Sequence, residues 1–149
     1  MTTPFLDITT AVRDALLVAP AVAGGRVVRG KATPIAIDKA SGVFVNARQT
    51  AGKPLDLAGV ATDWDYIVTV GAYAKATGTQ DAEEAVDPVL AEVYSRLKGM
   101  TRLPGSLEVT LLPRIDWDNE MADQNIGGAV LSLRVRLMTT GAALAPATP

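Results

Sequence analysis

The sequence has 149 residues, of which 48% are hydrophobic and 20% charged, and its formal net charge is −2 at pH 7. This length and composition predict one globular domain, and the small net charge provides no broad attraction to DNA or to an anionic membrane. The chain contains neither Cys nor His. Disulfides, thiolate zinc sites and cysteine nucleophiles are therefore excluded, as is the usual general base near pH 7. These absences favour a protein that is not an enzyme.

The first residues predict an amphipathic helix rather than a targeting segment. Thr3 can cap a helix that has Pro4 in its first turn, and apolar residues recur at helical spacing from Phe5 to Leu16. The segment lacks a basic start, and the chain has no uncharged apolar run of about 18 residues. We therefore expect no secretory signal, no membrane partner, and synthesis in the cytoplasm of the cell that makes the protein.

Short strands and a loop are predicted between this helix and residue 60. Pro20 and the Gly24-Gly25 pair should end the helix, whereas "RVVRG", "IAI" and "GVFVNAR" are apolar or alternating enough for strands. The next segment, "QTAGKPLDLAG", is rich in Gly and polar residues and is interpreted as a loop. Whether residues 47–60 become ordered only in an assembly is left open.

Residues 64–75 alternate as a strand with one face on the core. The core face is predicted to hold Trp64, Tyr66, Val68, Val70, Ala72 and Ala74. The other face holds Asp65, Ile67, Thr69, Gly71, Tyr73 and Lys75. This second face is neither apolar nor fully polar, which is typical of a sheet surface that contacts a partner or water.

A second helix should follow, with a capping box formed by Asp81 and Glu84. Gly99 can end this helix. The preceding "ATGTQD" lies where a helix N-terminus could bind phosphate, but it lacks the glycine patterns of phosphate loops, and the nearby acids disfavour an anion. We interpret it as a turn. The predicted buried stripe of the helix consists of Val86, Val89, Leu90, Val93, Tyr94 and Leu97.

Two strands complete the predicted fold. Pro113 in "SLEVTLLPRIDW" predicts an edge position or a bulge, and "GAVLSLRVRLMTT" is the most regular alternation in the chain. The predicted fold class is α+β, with a mixed or antiparallel sheet of about five strands and two main helices on one face. Residues 1–140 would form this single domain, and residues 141–149 a flexible C-terminal tail.

Arg134 and Arg136 share one face of the last strand, with Lys75 and Arg114 as candidate companions across the sheet. Two interpretations stay open. The arginines either pair with acids on a solvated face, or they form a subunit interface or a surface that meets nucleic acid. Because only 5% of the residues are aromatic, a stacking platform for single strands is not predicted.

An acidic cluster precedes the last strand. Asp116, Asp118 and Glu120 lie at every second position, as in the first part of an EF-hand loop, but Met121 and Gly127 occupy the positions that need Gly and Glu. One interpretation is a solvated hairpin loop in which Trp117 is tucked in or contacts a neighbour. The alternative is a small carboxylate-based metal-binding domain or enzyme that uses residues 116–123.

A family resemblance rests on two long segments, Thr62–Leu97 and "IDWDNEMADQNIGGAVLSLRVRL". They contain a Trp-bearing strand that ends in Ala72-Tyr73-Ala74, an acid-capped helix with "AVDPVL" and "VYSRL", an acidic hairpin and a final strand. This arrangement, together with the short N-terminal helix, resembles the tail terminator (minor tail protein U-like) family of long-tailed bacteriophages. The resemblance covers most of residues 5–140, and "GKATPIAIDKASGVFVNAR" matches the family only loosely.

The resemblance implies a structural virion protein that needs no cofactor and no metal. Members of this family form a hexameric ring at the neck end of the tail, where the ring caps the tail tube, stops its polymerisation and presents a surface to the head–tail connector. Genomic DNA would pass through the ring without sequence recognition. Another neck or tail-tube-like ring protein is the alternative within the same class. The candidate contact residues for the ring or its partners are Tyr73, Lys75, Asp116, Trp117, Asp118, Arg134 and Arg136.

Overall fold

Two helices pack on one face of a mixed sheet. The computed structural model describes residues 2–30, 41–55, 61–118, 126–141 and 144–146. The predicted α+β fold with two main helices is confirmed. In chain order the elements are α1 (Pro4–Leu17), a short 3-10 helix (Val22–Gly25), β1 (Val27–Arg29), β2 (Ser41–Pro54), β3 (Ala61–Lys75), α2 (Ala82–Lys98), β4 (Ser106–Asp118), β5 (Ile126–Thr140) and β6 (Ala145–Pro146).

The strand order across the sheet is β1-β2-β3-β5-β4, and β6 adds a two-residue pairing to the end of β5. β1 runs parallel to β2, whereas the other neighbouring strands are antiparallel. β4 therefore lies at an edge, and its register against β5 shifts between Leu111 and Ile115. Pro113, which lacks an amide hydrogen, lies inside this shift, so both features predicted from it are confirmed.

Side chains cap the first turn of both helices as predicted. The hydroxyl of Thr3 accepts a hydrogen bond from the Leu6 amide at 3.3 Å, and the Asp81 carboxylate accepts one from the Glu84 amide at 2.8 Å. Gly99 ends α2. No helix in the described part of the chain is long and apolar enough to cross a membrane.

The core lies between the helices and one face of the sheet. α1 contributes Ile8, Val12 and Leu16, all fully buried, and α2 contributes a stripe from Val86 to Leu97. The sheet supplies the alternate residues that the sequence pattern predicts. Those fully buried on β3 and β5 are Val68, Val70, Ala72, Ala129, Leu133, Val135 and Leu137.

Two sequence-based assignments are wrong. Tyr94 is 44% exposed, because the other members of the stripe already cover the sheet and position 94 lies at the margin of the helix face. Residues 49–54, interpreted as loop, belong to β2. The side chains of residues 49–54 are exposed, but their backbone pairs with β3. Backbone hydrogen bonds, rather than the burial of apolar side chains, therefore hold this segment in place.

Some predictions concern residues outside the described part of the chain. Residues 31–40, with the strand predicted at "IAI", and residues 119–125 of the acidic cluster are outside the described part. The flexible tail over residues 141–149 stays a prediction, although Ala145 and Pro146 pair with Thr140 and Thr139.

Candidate interaction surface

The face of the sheet opposite the helices, which we call the open face, gathers most of the candidate contact residues. Strand register assigns alternate residues of β2, β3, β5 and β4 to it, and no described helix packs there. Among the described residues that strand register or an ion pair assigns to this face, five are bases and five are acids: Lys53, Lys75, Arg114, Arg134, Arg136, Asp63, Asp65, Glu108, Asp116 and Asp118. The charges of these ten side chains balance.

Ion pairs cross the strands at one end of the open face. Arg134 makes a bidentate contact with Asp65, in which Nε and Nη2 each donate to a carboxylate oxygen at 2.9 Å. Arg136 donates to Asp63 at 2.7 Å and lies 3.5 Å from Glu108. The hydrogen bond from Arg134 holds the pKa of Asp65 below its usual value, and the carboxylates raise the pKa of both arginines.

A groove of about 280 Å³ lies beside these pairs. Ala51, Gly52 and Lys53 of β2 form one wall, and the two ion pairs form the other. One carboxylate oxygen of Asp63, Oδ1, is buried without a hydrogen-bond partner in the described residues. Three bases and two acids line the groove, so its charges nearly cancel and its wall has no strong preference for an anion or a cation.

Aromatic rings occupy the other end of the open face. Tyr73 stacks on Phe44 with the ring centroids 5.0 Å apart, and its hydroxyl donates to Asp118 at 3.1 Å. Gly71 and Gly128 make room for the rings, since a Cβ at Gly128 would lie 2.6 Å from the Tyr73 ring. Burial, with a smaller contribution from Asp118, raises the pKa of Tyr73 to about 12. This end of the open face is a packed cluster of buried side chains.

Three large apolar side chains of the edge strand β4 are exposed. The side chains of Leu107, Ile115 and Trp117 are 58%, 38% and 50% exposed. Register places Ile115 and Trp117 opposite Leu131 and Ala129, so both lie on the helix side of the sheet. α2 packs mainly on β3 and β5, and Ile115 and Trp117 stay exposed at the margin of the sheet. Large exposed apolar side chains at a sheet margin are typical of a contact surface.

The structure separates the seven predicted contact residues into four places. Arg134 and Arg136 lie in the ion-pair group, and Asp116 pairs with Arg114 at 2.9 Å. Trp117 is exposed at the edge. The aromatic end holds Tyr73, which is only 5% exposed, together with Asp118, and Lys75 ends β3 nearby. A contact role for these residues stays a prediction.

Sequence reasoning missed two acids that form ion pairs with Arg136. Asp63 and Glu108 were not singled out, although Asp63 and Asp65 have the same two-residue spacing as Arg134 and Arg136. Matched spacing of opposite charges on two strands was the available signal, but the pairing needs the register between those strands. In the described residues no group of three or more acids could hold a metal ion.

Comparison with known proteins identifies the fold. No protein-family model and no curated protein matches this chain. A chain from the virion of a native gene transfer agent (GTA) particle is similar, with a TM-score of 0.55 and 18% identity over 87% of this chain and 93% of that chain. The same fold thus occurs in a virion. At this identity the likeness shows the fold alone.

A weaker similarity is to the sheath/tube terminator of an extracellular contractile injection system (PVC) in its extended state. The TM-score is 0.40 and the identity 11%, over 100% of this chain and 61% of that chain.

Proposed function

We propose that this protein is the tail terminator of a long-tailed bacteriophage or a related particle. The supporting observation is that its fold, over 87% of the chain, is similar to that of a gene transfer agent virion chain. The sequence resemblance to tail terminators over residues 5–140 supports the same class independently. In this proposal the protein is a non-enzymatic component of the virion tail.

The proposed assembly is a hexameric ring at the neck end of the tail. The ring caps the tail tube, stops its polymerisation and offers its other side to the head–tail connector. The ring need not be strong in isolation, because the exposed surface mixes apolar side chains with charges, as non-obligate interfaces do. Light scattering over a concentration series, with and without tail tubes, measures this association.

The balanced open face supports passage of DNA without recognition. DNA-binding proteins neutralise phosphates with an excess of Lys and Arg, whereas here both arginines of β5 are paired with acids. A surface with equal numbers of acids and bases holds a polyanion only weakly. If the open face lines the hole of the ring, DNA can move past it.

The test is deletion of the gene and complementation, with electron microscopy of the lysate. Loss of the protein should give tails of abnormal length that fail to join heads, and the wild-type gene should restore both properties. Tails of normal length that join heads in its absence would remove the proposal. Tails of normal length that remain unjoined would indicate the alternative, another neck protein.

A double variant tests the open face within that assay. Arg134→Glu with Arg136→Glu breaks both cross-strand pairs and places like charges beside Asp63 and Asp65. We expect complementation to fail. The matched control is Lys98→Glu with Arg102→Glu, which makes the same change in charge at exposed positions around the end of α2. Equal complementation by both variants would show that the open face has no role in assembly.

A further inference from the structure

The two edges of the sheet carry opposite net charge. At one edge, β1 and β2 together contain Arg29, Arg48 and Lys53 and no acid. At the other edge, β4 contains Glu108, Asp116 and Asp118 against Arg114. The first edge is therefore positive and the second negative.

Both edges also present backbone groups that lack a partner strand in the described residues. β1 pairs only with residues 43–45 of β2, which leaves the outer edge of residues 47–54 open. β4 is the last strand at the opposite side, so its outer edge is open as well. An open strand edge is a template for another strand, and both edges are long enough for several ladder hydrogen bonds.

The helix layer is offset in a way that fits the same arrangement. α1 packs on β1 and β2 and α2 on β3 and β5. On the helix side of β4, Val109 and Leu111 pack against the core, whereas Ile115 and Trp117 stay exposed. If β2 of a second copy lay beside β4, the α1 of that copy would be the next helix in the layer. It would then lie against Ile115 and Trp117, the exposed apolar side chains of β4.

We propose that copies of this chain associate head to tail, with the β4 edge of one copy against the β2 edge of the next. The inference deepens the proposed function, since it rests on the ring and names the surfaces that join its subunits. Charge decides the polarity, because two β4 edges or two β2 edges would bring like charges together. A head-to-tail contact can repeat around a ring, whereas a symmetric contact between like edges stops at a dimer.

Charge exchange between the edges tests the proposal. Arg48→Glu with Lys53→Glu makes the positive edge negative, and Glu108→Lys with Asp116→Lys makes the negative edge positive. Each double variant alone then has two edges of the same sign. We expect each to associate at least about tenfold more weakly than the parent, since like charges at an interface cost several kcal/mol.

Rescue distinguishes an interface from damage to the fold. An equimolar mixture of the two double variants, and a chain that carries all four changes, should regain species larger than a dimer in sedimentation velocity at low salt. The effect should shrink as salt is added. The Lys98→Glu, Arg102→Glu control should associate like the parent, and thermal melting of every variant checks the fold.

Several outcomes overturn the proposal. They are a parent chain that stays monomeric at every concentration, double variants that assemble like the parent, and weakened variants that the mixture does not rescue. None of these decides the proposed function, because complementation and tail length are measured separately. Conversely, the mixture could restore association while deletion of the gene leaves the tails normal. That pair of results would support this interface and remove the terminator role.

Discussion

Gly127 is the position where the packing of α2 on the sheet allows a quantitative prediction. A Cβ at this residue would lie 1.9 Å from the carbonyl oxygen of Ala82 and 2.7 Å from its carbonyl carbon. Carbon and oxygen in van der Waals contact are about 3.3 Å or more apart, so Gly127→Ala forces a displacement of about 1.4 Å. Both atoms belong to backbone in regular elements, and no side-chain rotation relieves the clash.

The displacement lifts the start of α2 from the sheet, next to the fully buried Val86. Overpacking in a core costs about 1–3 kcal/mol, and we expect Gly127→Ala to reach the upper end because rigid elements must move. For a chain of this size, about 3 kcal/mol lowers the melting temperature by roughly 6–12 °C. Thermal unfolding followed by circular dichroism measures the shift.

The matched control is Gly99→Ala at the other end of α2. Gly99 has φ −79°, and a Cβ there would meet its nearest atom, the Arg96 carbonyl oxygen, at 3.6 Å. This substitution should change stability by less than about 1 kcal/mol, because it adds an ordinary contact at an allowed conformation. A Gly127→Ala protein that melts within about 2 °C of the parent would refute the predicted displacement of α2.

Three further predictions concern the core and the open face. Leu133 is fully buried, and an unpaired charge in the core costs several kcal/mol, so the Leu133→Asp variant should be insoluble or melt without cooperativity. A soluble variant that melts cooperatively would contradict the assignment of Leu133 to the core face. Because pairing with Arg134 lowers the pKa of Asp65, this pair stabilises the fold fully above about pH 4, and the stabilisation is lost as the pH falls through the folded pKa. Acid should therefore lower the melting temperature of the Asp65→Asn variant less than that of the parent. Because the pKa of Tyr73 is raised from 10.0 to about 12, the fold loses stability as the pH rises from 10.0 to about 12. Tyr73→Phe should reduce this alkaline loss of stability. An unchanged alkaline melting profile in that variant would exclude a contribution from Tyr73.

The fold could be predicted wherever side-chain burial follows a strict period. The buried stripe of α2, the alternation of β5 and the helix caps at Thr3 and Asp81 all follow from local sequence. Pro113 predicted an edge position or a bulge in β4, because its missing amide hydrogen is a local property. The arm at residues 49–54 could not be predicted, since pairing with β3 holds it while its side chains stay exposed.

The candidate surface was less predictable because it depends on register between distant strands. Arg134 and Arg136 were identified as neighbours on one face, but Asp65 and Asp63 lie 69 and 73 positions away in sequence. Tyr73 and Asp118 were both named as candidate contact residues. Only strand pairing shows that they bond to each other. Local patterns give the face of a residue, whereas its partner depends on the whole sheet.

Arg96 links the formation of α1 to a much later part of the chain. Its guanidinium donates to the carbonyl oxygen of Ala15 at 3.0 Å and to that of Pro20, and α1 has no basic residue of its own in the last turn. The residues that α1 buries also contact strands made after it. During synthesis on the ribosome, at least 81 residues must be added after Ala15 before Arg96 is present to donate to the C-terminal end of α1. Folding of this chain is accordingly a late event in its translation.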